Sequence, residues 1–315
     1  MSVHKVIFKK KVAKDRLVHH IEKEKITCSK NNIEEMYVAL LEKDKTLVQE
    51  LFDEYQYAGK TSVNIFEIAG FPQKLNNKRN FLSHIQKKLG VTNILNRKLL
   101  PSISEVPQIN LVEEIKNGIR IQWVHGINVE NTDGYKVISR IDLRFVTTII
   151  TFGSPVFVEV RAGYKNSVTY INLLRFLISN DESPVDLTRI PLTKVTEREA
   201  EEIADILEAG LLEGEHLGSN GIGKYAISAD PDTKDLRDLD EYKKGYMGKK
   251  YLAQTLNVFY EDAESGYKTN VKFRINMNGG FEFKSKVSEK IIKRIFDVFA
   301  EVRYKQVSSE KVSNE

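Results

Sequence analysis

Apolar residues fall at helical spacing over the first third of the chain and alternate along much of the remainder. Ile33, Met36, Tyr37, Leu40, Leu41, Leu47, Val48, Leu51, Phe52 and Tyr55 repeat at the spacing of one helix face. Asn32 and Glu35 stand where a capping pair belongs, so the pattern predicts one long helix, or two abutting, ending near Gly59. A short segment at 63–68 and a turn around Gly70, Phe71 and Pro72 lead to a second helix over 78–89. That helix places Phe81, Leu82, Ile85 and Leu89 on one side and stops at Gly90. Residues 1–31 are ambiguous, and 3–8 admit a strand.

After Gly118 the period changes to two. Ile119, Ile121 and Trp123 alternate with Arg120, Gln122 and Val124; a turn at 131–134 precedes a long strand region over 135–152. Gly153, Ser154 and Pro155 turn the chain into a strand over 156–161, and a helix from about 166 carries Val168, Ile171, Leu174 and Ile178. The order strand, glycine turn, strand, helix returns over 269–304. There Val271, Phe273 and Ile275 precede a hairpin signal, Asn278-Gly279-Gly280, and Phe281 and Phe283 come after it. A helix with Val287, Ile291, Ile295, Phe299 and Val302 inward closes the set. Duplication would give this order twice, but so would common geometry, since an antiparallel hairpin often buries one face under a helix. Two such halves side by side would resemble the saddle of minor-groove binders, an analogy of fold alone.

The expected architecture is therefore α+β. A helix-rich basic region occupies 1–104, and a helix-turn-helix module fits 63–90. A linker covers 105–117, an antiparallel-sheet domain with helices packed on one face covers 118–304, and a disordered tail covers 305–315.

Composition narrows the function. With 315 residues, 41% hydrophobic and 29% charged, the chain can build cores without disulfides or metals. Cys28 is the only cysteine, which excludes an intramolecular disulfide and a Cys-rich zinc site and suits a reducing compartment. No apolar run approaches the length of a membrane span, so a cytoplasmic protein without membrane insertion is expected. The net charge of +4 hides a strong asymmetry: residues 1–100 carry a net +8, 181–241 a net −11, and 242–315 a net +6.

The strongest local feature is an absence of acid. Between Glu67 and Glu105 no Asp or Glu occurs in 37 positions, while Lys74, Lys78, Arg79, Lys87, Lys88, Arg97 and Lys98 do, among Gln73, Asn76, Asn77, Asn80 and Gln86. Lys and Arg neutralise phosphates, and amides bond to phosphate or base edges. These seven cations are the candidate contacts of a non-catalytic nucleic-acid-binding protein, a subunit of a larger prokaryotic complex. It takes DNA rather than RNA and needs no cofactor. The alternative is a protein-interaction subunit whose acidic segment, 181–241, docks a basic surface of another protein or of a second copy in a homo-oligomer.

Other signals are weaker. Lys286, Lys290, Lys293 and Arg294, with Lys272, Arg274 and Lys284, make a second basic face, but an amphipathic helix needs a polar side in any case. Residues 218–225 read GSNGIGKY, one hydroxyl short of a phosphate-binding loop, and lack the strand before and helix after that such a loop requires. Asp142 with Glu159, Val160 and Arg161 outlines a metal-dependent nuclease, though Arg161 replaces the usual Lys and is a poor proton-transfer group. The carboxylates at 230–241 lack the glycine of a calcium loop, and the six histidines show no ligand spacing.

Overall fold

The computed structural model describes residues 5–179, 185–246 and 248–312, with side chains as far as 304. It confirms an α+β protein whose strands pair antiparallel. Contacts divide the chain into two compact units. One combines Met1–Ser62 with Thr193–Glu315, and the other is Val63–Leu192. The division therefore does not fall at 105–117. That stretch contains a strand rather than a linker, because 109–112 supplies core residues such as Ile109 and Val112.

Four helices open the chain: α1 (Lys5–Lys11), α2 (Lys14–Lys23), α3 (Ile33–Lys43) and α4 (Lys45–Tyr55). The strand admitted at 3–8 is thus a helix from Lys5, with Phe8 buried against Tyr37. Asp44 decides between one long helix and two. Its extended backbone ends α3, and its carboxylate accepts the amides of Thr46 and Leu47, capping α4. Phe8, Leu17, Ile21, Met36, Leu40, Leu51 and Tyr55 form the shared core of the four.

The continuous unit comes next. Strand β1 (Ser62–Ala69) is buried on both faces, and helix α5 (Lys78–Leu89) comes after a single 3-10 turn. The element directly before Gly70 is strand β1, not a helix, so a helix-turn-helix at 63–90 is excluded: Val63, Ile65, Phe66 and Ile68 belong to a buried run that pairs as a strand. Beyond α5 lie β2 (Gln108–Ile115), β3 (Gly118–Thr132), β4 (Val137–Thr151), β5 (Val156–Val160), helix α6 (Tyr164–Ile178) and β6 (Thr188–Pro191). The sheet runs β2-β3-β4-β5-β1, with β6 also on β1. Ile119, Ile121 and Trp123 of β3 share one side with Val156, Val158 and Val160 of β5. There they meet Phe81 and Ile85 of α5 and Ile171 and Leu174 of α6. Gly118 opens β3 where a Cβ would lie 1.9 Å from the Ile150 carbonyl oxygen.

The first unit resumes with α7 (Glu197–Ile206), β7 (Gly210–Leu217), β8 (Lys224–Ser228), α8 (Asp240–Gly245), β9 (Tyr251–Glu261), β10 (Lys268–Asn276), β11 (Phe281–Phe283) and α9 (Glu289–Val312). Its sheet runs β8-β7-β9-β10-β11. The strand–turn–strand–helix order expected twice is present twice, as β4-β5-α6 and β10-β11-α9. Helix α9 continues to Val312, so the tail expected from 305 is helical that far; 313–315 lie outside the described residues. No helix among the described residues is long and apolar enough to cross a membrane.

The N-terminal helices are tied to the β9–β10 turn by Arg16. Its guanidinium, 6% exposed, donates to Ser265 Oγ (3.0 Å) and Glu54 (3.2 Å) and lies 4.8 Å from the Tyr267 ring centre. Burial, and then the Arg16 charge, hold the neighbouring His20 down at about 4. His20 is therefore neutral in the fold but protonates near 6.5 when unfolded. Its contribution to stability is whole above pH 6.5 and is lost as pH falls from there toward 4. Melting temperature should drop by a few degrees between pH 7 and 5, and His20→Gln should reduce that slope; calorimetry across the range checks it. Gly118→Ala should destabilise by about 2–3 kcal/mol or more, because backbone rather than a side chain blocks the new methyl. Chemical denaturation reads the loss.

Candidate nucleic-acid interface

Helix α5 carries most of the acid-free stretch, and its rotation decides which cations meet solvent. Asn77 caps it by accepting the Asn80 amide (2.9 Å), and Gly90 ends it in the left-handed conformation, φ 65°. Phe81 and Ile85, both fully buried, turn the 81/85 side to the sheet. His84 and Lys88 then face α6. The His84 Nε2 is 3.0 Å from the Leu177 oxygen, and Lys88 Nζ donates to the Ser179 oxygen (3.2 Å), 5.0 Å from the Phe176 ring centre. A cation at the carbonyl end of α6 is favourable for that helix. Lys88 is thus a structural residue.

Lys78 is another. It forms an ion pair with Glu114 and lies 3.5 Å from the Ile115 oxygen, which ties the start of α5 to the end of β2. The other five sequence candidates are exposed: Lys74, Arg79, Lys87, Arg97 and Lys98. Among the described residues none of these five makes an ion pair. Arg79 and Lys87 share the outer stripe of α5, eight residues and ~12 Å apart along its axis. Arg97 and Lys98 sit on a segment that runs along the edge of β2, held by Asn96 N to Val112 O (2.8 Å) and Leu99 N to Asn110 O (2.7 Å).

The sequence does not reveal that α6 packs beside α5 and adds to this charge. Lys165 and Arg175 are exposed on it, and neither α5 nor α6 contains an Asp or Glu. The helix layer of this unit therefore offers cations without a carboxylate in either helix. The other side of the sheet differs: Glu67, Glu113 and Glu159 lie there, with Arg120 held by Glu113 at 3.3 Å. On the helix side β2 presents Glu114, which Lys78 neutralises.

The amides of the stretch are committed to the fold. Asn76 exchanges two hydrogen bonds with the Gly153 backbone (2.8 and 3.1 Å), Asn80 donates to the Lys74 oxygen (2.8 Å), and Gln86 donates to the Thr92 oxygen (3.3 Å). What remains exposed is charge.

The competing sites resolve differently. Asp142 and Glu159 are not brought together. Glu159 pairs with Ile149 on β4, seven residues and ~24 Å along the strand from Asp142. Each carboxylate has an arginine partner instead, Arg161 for Glu159 and Arg140 for Asp142 at 3.0 Å. Among the described residues no group of three or more His, Cys, Asp or Glu could hold a metal. The GSNGIGKY stretch is the β7–β8 hairpin turn, closed by Gly218 N to Gly223 O (3.1 Å), with Lys224 on Glu215 (3.2 Å). The C-terminal basic face is largely neutralised: Lys290 contacts Asp262 and Glu264, Lys293 contacts Asp297, and Lys284 contacts Glu282.

The acidic segment 181–241 also uses its carboxylates internally. Glu199 completes a capping box with Thr196 and accepts from Arg303 (2.7 Å), Glu197 accepts the Tyr251 amide, Glu215 binds Arg274 (3.0 Å), and Asp235 binds Arg237 (2.6 Å). A buried polar chain in the same unit has no signature in the sequence, because its members are far apart in the chain. His216, fully buried, is 2.9 Å from the Tyr242 hydroxyl, which is 2.7 Å from that of Tyr251. Burial lowers the His216 pKa, and the ring joins two strands and α8 as a packing element. Comparison with protein-family models and with curated proteins finds no match, so the reading of this surface rests on its geometry and charge.

Proposed function

We propose that the protein binds nucleic acid without sequence preference, through the helix layer of the continuous unit. The observation that carries this is the pair α5 and α6, which expose Arg79, Lys87, Lys165 and Arg175 and contain no carboxylate. Lys74, Arg97 and Lys98 extend the charge beside α5. Cations without internal partners attract phosphate, and binding then releases counterions from the duplex. The commitment of Asn76, Asn80 and Gln86 to backbone groups supports contact with phosphates over readout of bases. Lys78 and Lys88 leave the contact set, because Glu114 and the end of α6 hold them. Duplex DNA is the proposed ligand.

Fluorescence anisotropy with a labelled duplex of arbitrary sequence tests the reading. Arg79→Ala/Lys87→Ala should weaken binding about tenfold and reduce the slope of log K against log salt by about 2, one for each lost phosphate contact. Lys293→Ala, on the ion-paired face, should change neither quantity. Wild-type protein that fails to bind at low salt, or a double variant with an unaltered slope, would overturn the proposal.

A further inference from the structure

Strands β3 and β4 pair along their whole length, from Gly118 with Thr151 to Thr132 with Val137. Their flanking strands stop early: β2 covers β3 only as far as Val124, and β5 covers β4 only from Thr148. The remainder is a two-stranded arm. Cross-strand pairing puts Val137, Ser139, Ile141, Leu143 and Phe145 of β4 on one face with the even-numbered residues of β3 from Val124 to Thr132. Among the strand residues of that face a single one, Glu130, is formally charged. The other face carries Arg140, Asp142 and Arg144.

The apolar face is exposed: Val137 by 71%, Ile141 by 61%, Leu143 by 50% and Phe145 by 53%. Ile103, 40% exposed, packs alongside, and a Cβ at Gly126 would lie 2.9 Å from its Cγ2 and 2.7 Å from that of Ile141. Scaled to whole-residue areas these exposures give roughly 550 Å², near the top of the ~300–600 Å² of the largest patch on ordinary monomers. Two such patches face to face would bury roughly 1,100 Å² of surface, about the ~1,000 Å² expected of a specific interface. A polyanion finds no cation on this face, and a charged protein finds only the carboxylates of Glu130 and of Glu105, which accepts from Asn128 at 3.2 Å. A second copy matches it, apolar side on apolar side, with Ile141 at the midpoint of 137–145.

We propose that the protein is a two-fold dimer in which this arm face packs against the same face of a second copy, with Ile141 at the axis. The proposal is independent of nucleic-acid binding. Light scattering on the full-length chain at micromolar concentration tests it, and the wild type should run at twice the 36.1 kDa of one chain. Ile141→Glu and Ile141→Lys should each run at single-chain mass with unchanged far-UV circular dichroism. Mixed in equal amounts they should return to the doubled mass, because opposite charges then meet at the axis. Val137→Glu, at the most exposed of the apolar-face positions, should also give single-chain mass and serves if the variants at 141 fail to fold. A wild type of single-chain mass, with or without DNA, overturns the proposal. So do folded variants that keep the doubled mass, and a mixture that stays at single-chain mass rules out the axis at Ile141.

Discussion

Burial of Phe81 and Ile85 against the sheet fixes how α5 is turned about its own axis, and the surface chemistry of the continuous unit depends on that. Each such side chain removed from water is worth about 1.5–3 kcal/mol, more than any single surface ion pair supplies. Once those two are inside, the 3.6-residue period leaves no choice for the rest. His84 and Lys88 must meet the last carbonyls of α6, and Arg79 and Lys87 must point away. The same hydrophobic constraint thus sorts one run of lysines and arginines into braces and ligand-accessible charge.

Charge in the two-segment unit is arranged on another principle. Its carboxylates cap helices, bridge strands and hold arginines, as with Glu199 on Thr196 and Arg303 and Asp235 on Arg237. Part of the acid behind the net charge of −11 over 181–241 thus serves the fold, while carboxylates such as Glu201, Glu208, Asp240 and Glu241 stay exposed. Half-buried pairs of this kind need both partners, since either one alone would be left desolvated.

Local signals in the sequence were reliable where the interaction is local. Asn32 caps α3, Gly90 ends α5, and Asn278-Gly279-Gly280 turns β10 into β11, each through neighbours a few residues away. The segments 63–68 and 109–115 were opaque. A strand buried on both faces has no alternation, and β2 carries a register shift between Ile109 and Leu111. The partner of Lys78 lies 36 residues on, and no spacing rule reaches it. Likewise, alternation marks β3 and β4 as strands but not how far they outrun β2 and β5, because that depends on where other strands stop.

The discontinuity of the first unit has a consequence for synthesis. Arg16 and Ser265 are separated by 249 residues. At the roughly 5–20 residues per second of a translating ribosome, the guanidinium waits on the order of 10–50 s for its hydroxyl partner. Over the last part of that interval, once residue 192 has been made and while 193–265 are still being added, the unit formed by 63–192 can close on itself, since all of its strands are then present. Nascent chains should therefore acquire their middle before their beginning, with the opening helices held as an unfinished half until the last strands leave the tunnel.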